Sequence, residues 1–512
     1  MDRRFMDRRD FLASSLAFCT LAGLARTALA AEGEAANGNA QPGFSWARLK
    51  EEAHRLAGAA WSGNAPQPPQ RFADLSYEQY RDIRWRREMQ IWRNENRGFS
   101  VEPVIAASIY RAGVELHLVE DGSALPVPFD RERFDWGPQV KPPEDGVTLP
   151  YSGVKLRRPT DPERFPEFAQ FQGATYFKAN VRDAGYGITA RGLALDTASP
   201  DGEEFPSFTR FYVERPDENA QSIRLYALLD SKSVTGAYRF TLRPGESTQV
   251  DVEFSLFPRV DLGHVGLGAL NSMFLYDAIG RTRFDDVRPS VHMSDGLAIQ
   301  TGSGERLWRP LANPKVLQLS AFGDENPLGF GLVQRDREFA SYQDLEGRWE
   351  RRPSAWVEPI GDWGKGSMVL VEIPSDAEIH ENIVAYWRPK AKLPAGQEFS
   401  AAYRVTWRAD ACEPQNLGRV LESREGHGAE AGFRRFVVDF VGPMPPATEV
   451  KLAASTSAGR LVAPVLKPHP VTGGYRVTFD LDPKNATLAE LRVQLTDGNK
   501  PVSETWLWRW VA

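Results

Sequence analysis

The chain has 512 residues, of which 42% are hydrophobic and 25% charged, with a formal net charge of −6. Residues 1–30 hold five arginines and three aspartates, a contribution of +2 that leaves −8 for the remainder. That acidity argues against nucleic acid or anionic lipid as the main partner.

Residues 1–30 read as a twin-arginine signal peptide. Arg8 and Arg9 precede Phe11 and Leu12, an apolar stretch runs from Leu12 to Leu24, and Ala28-Leu29-Ala30 offers an A-x-A cleavage pattern. An ordinary secretory signal or an uncleaved anchor is the alternative, and the doubled MDRR at residues 1 and 6 favours the twin-arginine reading. No second run of about 18 apolar residues follows, so the exported protein is expected in the periplasm and not embedded in a membrane. Cys19 falls in this leader, and Cys412 alone cannot close a disulfide, so stability must come from core burial.

Residues 31–43 read as a flexible leader. Trp46, Leu49, Ala53, Leu56 and Ala60 recur at helical spacing behind Ser45 as N-cap. Ser76 and Gln79 form a capping box for a second helix running to Trp85. From about residue 100 the period changes to two. Short alternating runs such as Val114–Val119, Ser222–Leu229, Gln249–Phe257, Val316–Phe322, Met368–Ile373 and Ile383–Trp387 are separated by Gly, Pro, Asp and Asn. The fold class is therefore mainly β, with a large N-terminal β-sandwich over residues 44–407. The polar, Gly-rich stretch 408–433 reads as a linker. Residues 434–512, with turns at Gly473-Gly474 and Asp497-Gly498, suit six or seven strands of an immunoglobulin-like β-sandwich.

Several chemistries find no support. The seven histidines, at 54, 117, 264, 292, 380, 427 and 469, show no metal-ligand spacing, and there is no Cys-x-x-Cys, so no metal site is expected. In Gly361–Ser367 the Gly-Lys-Ser order of a phosphate loop is broken by Gly366. No Gly-x-Ser-x-Gly elbow occurs, and no cofactor is implied.

The segment Arg352–Pro389 carries more. Its loop Pro374–Asn382 holds Asp376, Glu378, His380 and Glu381, and Trp349, Trp356, Trp363 and Trp387 lie close in sequence. Glycoside chemistry needs a carboxylic acid to protonate the leaving oxygen and a base or nucleophile at the anomeric carbon, while aromatic faces hold sugar rings. On spacing alone a solvated acidic loop beside core tryptophans carries more weight than a catalytic site.

Longer motifs add a resemblance. Gly173–Phe177 (GATYF), Tyr186–Thr197 (YGITARGLALDT), Glu203–Phe208 (EEFPSF), Tyr226–Phe240, Asn326–Asp344, Trp356–Pro359, Trp363–Ser367, Arg434–Gly442 (RRFVVDFVG) and Ser503–Leu507 (SETWL) are similar to those of the periplasmic glucan biosynthesis family of proteins G and D. The twin-arginine leader resembles the D branch in particular. The resemblance implies a role in making osmoregulated periplasmic glucans with a β-1,2-linked glucose backbone. Some members look like inverting endo-β-1,2-glucanases and others like transglycosylases that close the glucan through an α-1,6 link. The ligand would lie in a long cleft on the N-terminal domain, and the membrane glucan synthase is a further expected partner.

Carried over residue by residue, the resemblance makes Glu381 the general-acid candidate, a Glu where the family has Asp, with Glu378 as second candidate. Where the hydrolases place a base in His-Asp-Ser-Asp, this chain has His292-Met293-Ser294-Asp295, so Asp295 is a weak base candidate. Trp349, Arg352, Trp356, Trp363 and Lys365 are the expected sugar contacts. The departure at Met293 ranks a glucan-cyclising transglycosylase above a β-1,2-glucanase with a relocated base and above a non-catalytic glucan-binding or assembly protein.

Overall fold

The N-terminal helix forms where its capping chemistry dictates. The computed structural model describes residues 43–160, 164–182, 184–410, 416–446 and 449–512, so the signal peptide and most of the leader lie outside the described residues. The helix Trp46–Ala57 starts at Ser45, whose side chain accepts from the Arg48 amide. It lays Leu49 and Ala53 on Tyr212, Tyr226, Leu228, Ala237 and Phe257. The Ser76–Gln79 capping box closes in both directions over Tyr77–Asp82. That helix stops short of the expected Trp85, because Arg84 and Trp85 pair in extended form with Asp135 and Phe134.

Two large sheets make the N-terminal sandwich. One runs Ser100–Ile105, Tyr151–Arg157, Glu167–Gln172, Tyr176–Ala179, Thr189–Arg191, Val265–Ser272, Ile383–Pro389, Lys365–Glu372 and Gln318–Glu325 from edge to edge. Its central strand Val265–Ser272 is buried along its whole length. The facing sheet is larger and includes Ser207–Glu214, Ile223–Asp230, Val234–Arg243, Ser247–Pro258 and Phe399–Arg408. Between them Phe171 and Phe177 of the first sheet meet Phe240 of the second, with ring centroids 5.0 and 5.3 Å apart. Such offset and edge contacts add to the burial of large apolar surface.

The C-terminal sandwich is not separated from this body by a linker. Within the expected linker, Arg419–His427 is a strand paired with Arg434–Val441. It looks like a linker in sequence because it is an edge strand, with only Val420 and Ser423 buried. The strands Val450–Thr456, Leu488–Asp497 and Thr505–Val511 belong to the larger sheet, joined to it by parallel pairing of Leu307 and Trp308 with Thr505 and Trp506. The immunoglobulin-like layers share one core, in which Trp308 and Trp356 pack with Phe436, Phe479 and Trp506. Residues Phe44–Ala512 accordingly form one compact unit.

Glycine makes room for these tryptophans. A Cβ on Gly296 would lie 2.2 Å from Trp308 Cζ2. Overpacking at such a site costs about 1–3 kcal/mol. Gly296→Ala is expected to lower the melting temperature by several degrees, and an unchanged melting curve would contradict the close approach.

Candidate functional site

Residues opposite one another in antiparallel register share a sheet face. Glu102 pairs with Lys155, Lys155 with Gln170 and Gln170 with Lys178, so four adjacent strands turn a polar row outward. The same face continues through Tyr176 opposite Arg191 and Thr189 opposite Asn271. The inward residues of these strands, including Val154, Leu156 and Phe171, are fully buried. Over this row lies an open groove of about 1700 Å³, bordered by Tyr77, Tyr80, Tyr110 and Tyr186 as well as by the row itself. A small-molecule pocket usually measures roughly 300–1000 Å³, so this groove suits a polymer better than a metabolite.

Glu381 meets this face. It sits at the end of the loop before the strand Ile383–Pro389, and its Oε1 accepts a hydrogen bond from the Thr189 hydroxyl at 2.7 Å. The loop is anchored by its neighbour Asn382, 2% exposed. The Asn382 side chain accepts from the Phe274 amide at 2.9 Å and donates to the Phe274 and Ile373 carbonyls, both at 3.0 Å. Burial pushes the Glu381 carboxyl above the usual glutamate range, against the hydrogen bond from Thr189 and the positive charges of Lys178 and Arg191. Lys178 lines the groove and is drawn down by burial, with Glu167 and Glu381 opposing that shift. Arg191 is 2% exposed and pairs with Glu203 at 2.6 Å, between the rings of Tyr176 and Phe205. Its Nε, like the Oδ1 of the buried Asn271, has no hydrogen-bond partner in the protein. A carboxyl with a raised pKa, two cations and two unpartnered buried polar atoms thus gather on one face.

The other expected site residues lie elsewhere. Glu378 is exposed and bound to Arg288 at 2.8 Å, on a guanidinium that also holds Asp286 and Asp344. Asp295 accepts from the backbone amides of Arg335 and Asp336 at 2.9–3.0 Å. Burial pushes Asp295 up to about 6, with His292 opposing. None of its partners is shared with Glu381. Trp356 and Trp363 are core residues, 5% and 8% exposed, and the Trp363 indole donates to the Ala402 carbonyl at 3.2 Å. They cannot present a face to sugar. Trp349 is also buried, and its indole donates to Asp344 at 3.0 Å. Arg352 is half-buried and spends its guanidinium on the carbonyls of Gly347 and Tyr186, so it buttresses the groove wall. Lys365 is exposed beside Glu325 and does not line the groove.

Sequence reasoning did not single out Thr189, Arg191, Lys178 or Asn271. Thr189 and Arg191 stood inside the quoted Tyr186–Thr197 motif, where a threonine and an arginine alternate with alanine in a three-residue strand. That polar alternation was the available signal. Among the described residues no three His, Cys, Asp or Glu side chains are grouped to hold a metal ion, and no helix is long and apolar enough to cross a membrane.

Fold and groove together define a double β-sandwich protein with a polymer-sized polar cleft. The chain belongs to the periplasmic glucan biosynthesis family: the profile described as "Periplasmic glucan biosynthesis protein, MdoG" matches residues 44–510. It is 47% identical over 453 residues to glucans biosynthesis protein G of Shewanella frigidimarina (strain NCIMB 400), covering 87% of this chain and 80% of that protein. It is 43% identical over 497 residues to glucans biosynthesis protein G of Rhodopseudomonas palustris (strain BisA53), covering 96% and 98%. Glucans biosynthesis protein G of Vibrio cholerae serotype O1 (strain M66-2) is 45% identical over 450 residues, 86% of this chain and 82% of that protein. These relatives carry the G name, whereas the expected D branch rested on the leader, outside the described residues.

Proposed function

We propose that the protein is exported by the twin-arginine pathway on Arg8 and Arg9 and acts on the β-1,2-linked glucose backbone of periplasmic glucans as a cyclising transglycosylase. The observation that carries the reading is Glu381, a carboxyl held above its usual pKa range on the polar sheet face whose Lys178 lines a polymer-sized groove. A carboxylic acid that keeps its proton is what a leaving glycosidic oxygen requires. In the proposed step the Glu381 proton passes to that oxygen and the C1–O bond breaks. A hydroxyl of the same glucan chain attacks C1 from the opposite face, and its proton is lost to solvent, which later reprotonates Glu381. No water is consumed. Asp295, the one carboxylate offered as a relocated water-activating base, is occupied by backbone amides and shares no partner with Glu381. That favours a sugar hydroxyl over water as acceptor.

The test is incubation of the purified protein with linear β-1,2-glucan, followed by mass analysis. Rings lighter by one water than the linear chain of equal length are expected. Short linear oligomers would make the protein a hydrolase, and unchanged substrate would leave it a binding or assembly protein.

The proton-donor role has a pH signature. Only the protonated acid is active, so the rate falls as pH rises through the Glu381 pKa, and burial moves that alkaline limb above the usual glutamate range. The Thr189 hydrogen bond favours the ionised form and so lowers the pKa. Thr189→Val is therefore expected to move the alkaline limb of the pH–rate profile further up. An unmoved limb would detach Glu381 from the limb.

A further inference from the structure

The sheet that carries the groove ends, at its opposite edge, on the strand Gln318–Glu325, which pairs on one side with Lys365–Glu372. The next pairing shows which of its backbone groups face outward. The Ile373 amide donates to the Asn382 carbonyl and the Lys390 amide to the Lys365 carbonyl, both at 2.9 Å, so the odd-numbered residues of this run bond away from the edge strand. Backbone bonding alternates along an antiparallel pair. Leu319, Ala321 and Gly323, opposite Val371, Val369 and Ser367, therefore turn their N–H and C=O groups outward from the sheet. The Leu319 carbonyl shows it directly, because it accepts from Arg509 Nη1 at 2.9 Å. Among the described residues the outward groups of Ala321 and Gly323 have no partner.

Proteins ordinarily blunt such an edge with charge, proline or cover. Here the run Val316–Gly323 carries no charge and no proline. Val316, Leu317 and Leu319 are exposed, as is Ile373 beside them, and a Cβ on Gly323 would meet nothing within 4 Å. The facing sheet runs on past this edge. Arg309 reaches Glu372 from below at 3.2 Å, and Arg509, on the adjacent strand Thr505–Val511, reaches Leu319. Two further strands, Leu488–Asp497 and Val450–Thr456, follow outward. Trp506, Trp508 and Trp510 turn down into the C-terminal core, while Leu507 packs against the N-terminal one, so Leu507, Arg509 and Glu490 form the upper face of a shelf. A second folded copy paired edge to edge would drive its own lower sheet into that shelf, whereas a lone extended segment can lie on it. The uncharged run has Lys315 at one end and Asp324 and Glu325 at the other. An antiparallel strand that is basic at its N-terminal end and acidic at its C-terminal end meets both.

We infer that this edge takes an extended segment of another protein as an added antiparallel strand, uncharged and strand-forming between a basic and an acidic end. Main-chain bonds to Leu319, Ala321 and Gly323 hold it, and the shelf supports it from below.

A fluorescein-labelled peptide copying residues 315–325 has that charge order and is the probe. Paired antiparallel about Ser320, its Lys meets Glu325 and its first Leu meets the open Gly323. Saturable binding by fluorescence anisotropy is expected, with slowed hydrogen exchange in residues 319–323 of the protein. A peptide with its charged ends exchanged should bind about fivefold more weakly, since opposite charges across strands attract and like charges repel. Ala321→Pro removes one outward N–H at an edge position where proline is tolerated, and should weaken binding about tenfold with an unchanged melting temperature. Should that variant melt early, N-methylation of alternate peptide residues blocks the same bonds without touching the protein and should abolish binding. Arg509→Ala uncovers the Leu319 carbonyl and should tighten binding about threefold, the scale of one exposed contact. No saturable binding, binding without protection of 319–323, indifference to the charge exchange or to the blocked bonds, or weaker binding to Arg509→Ala would each overturn the inference. Slowed exchange of 319–323 on concentrating the protein alone would make the occupant a second copy and overturn it as well.

Discussion

Glu381→Gln is expected to abolish turnover of β-1,2-glucan, with a loss of about 10²- to 10⁴-fold, the usual contribution of a positioned general acid. Gln keeps the length of the side chain and an oxygen that can accept from Thr189, so the geometry at 2.7 Å can persist while the transferable proton is gone. Glucan affinity should change by no more than a few-fold. The sign of the stability change is part of the prediction. A carboxyl whose folded pKa is raised favours folding while it is protonated, and it loses that advantage as pH rises through the shifted value. Gln cannot ionise, so at neutral pH the variant should melt at or above the temperature of the parent. Lost activity with undiminished stability is the mark of a functional group kept at a cost to the fold. Full activity in the variant would end the assignment of Glu381 as the acid, and a large fall in melting temperature would turn it into a structural residue.

What could be read in advance was the chemistry that acts between neighbours in sequence. Ser45 and the Ser76–Gln79 pair cap helices because their side chains reach amides two or three residues away. The alternating runs became strands for the same local reason. The run Tyr475, Val477, Phe479 turns one face to the C-terminal core because successive side chains point to opposite sides. The tryptophans were a different matter. Trp356 is core because Gly329 and Gly331, across the sheet, leave room for its ring: a Cβ at Gly329 would meet that ring at 2.6 Å. Nothing near Trp356 in sequence records that vacancy. A cleft on this domain was expected from the resemblance, but the residues that line it escaped for a related reason. Glu102, Lys155, Gln170 and Lys178 each stand at an outward position of their own strand, but only the order of strands makes them a row. Glu381 was reachable because a resemblance pointed to it. Its partner Thr189, 192 residues away, needed the fold.

Glu504→Ala is expected to destabilise the protein by about 3–5 kcal/mol, the range for breaking a buried ion pair by removing one member. The pair is bidentate, with Arg335 Nη1 2.6 Å from Oε1 and Nη2 3.0 Å from Oε2. Arg335 and Glu504 are 7% and 5% exposed. Glu504 also accepts from the Val420 amide at 2.6 Å, while Arg335 donates to the Val420 carbonyl at 2.8 Å and lies 3.5 Å from the Trp308 ring centroid. Three segments distant in sequence therefore meet here: the end of the strand Gly329–Val333, the start of Arg419–His427 and the start of Thr505–Val511. Alanine at 504 would leave a buried guanidinium without its carboxylate, and the Val420 amide without its acceptor. Replacing both charges, as Arg335→Met with Glu504→Leu, should cost far less than the single change, because the dominant penalty is the stranded charge rather than the lost attraction. Calorimetry gives a second readout. The parallel pairing of Leu307 and Trp308 with Thr505 and Trp506 puts the C-terminal strands in the same sheet as the groove-bearing body. The loss should then appear as one transition moved to lower temperature. A separate early transition of the C-terminal strands would mean that the shared sheet does not couple the two sandwiches, and an unmoved transition would mean that the Arg335–Glu504 pair does not hold them.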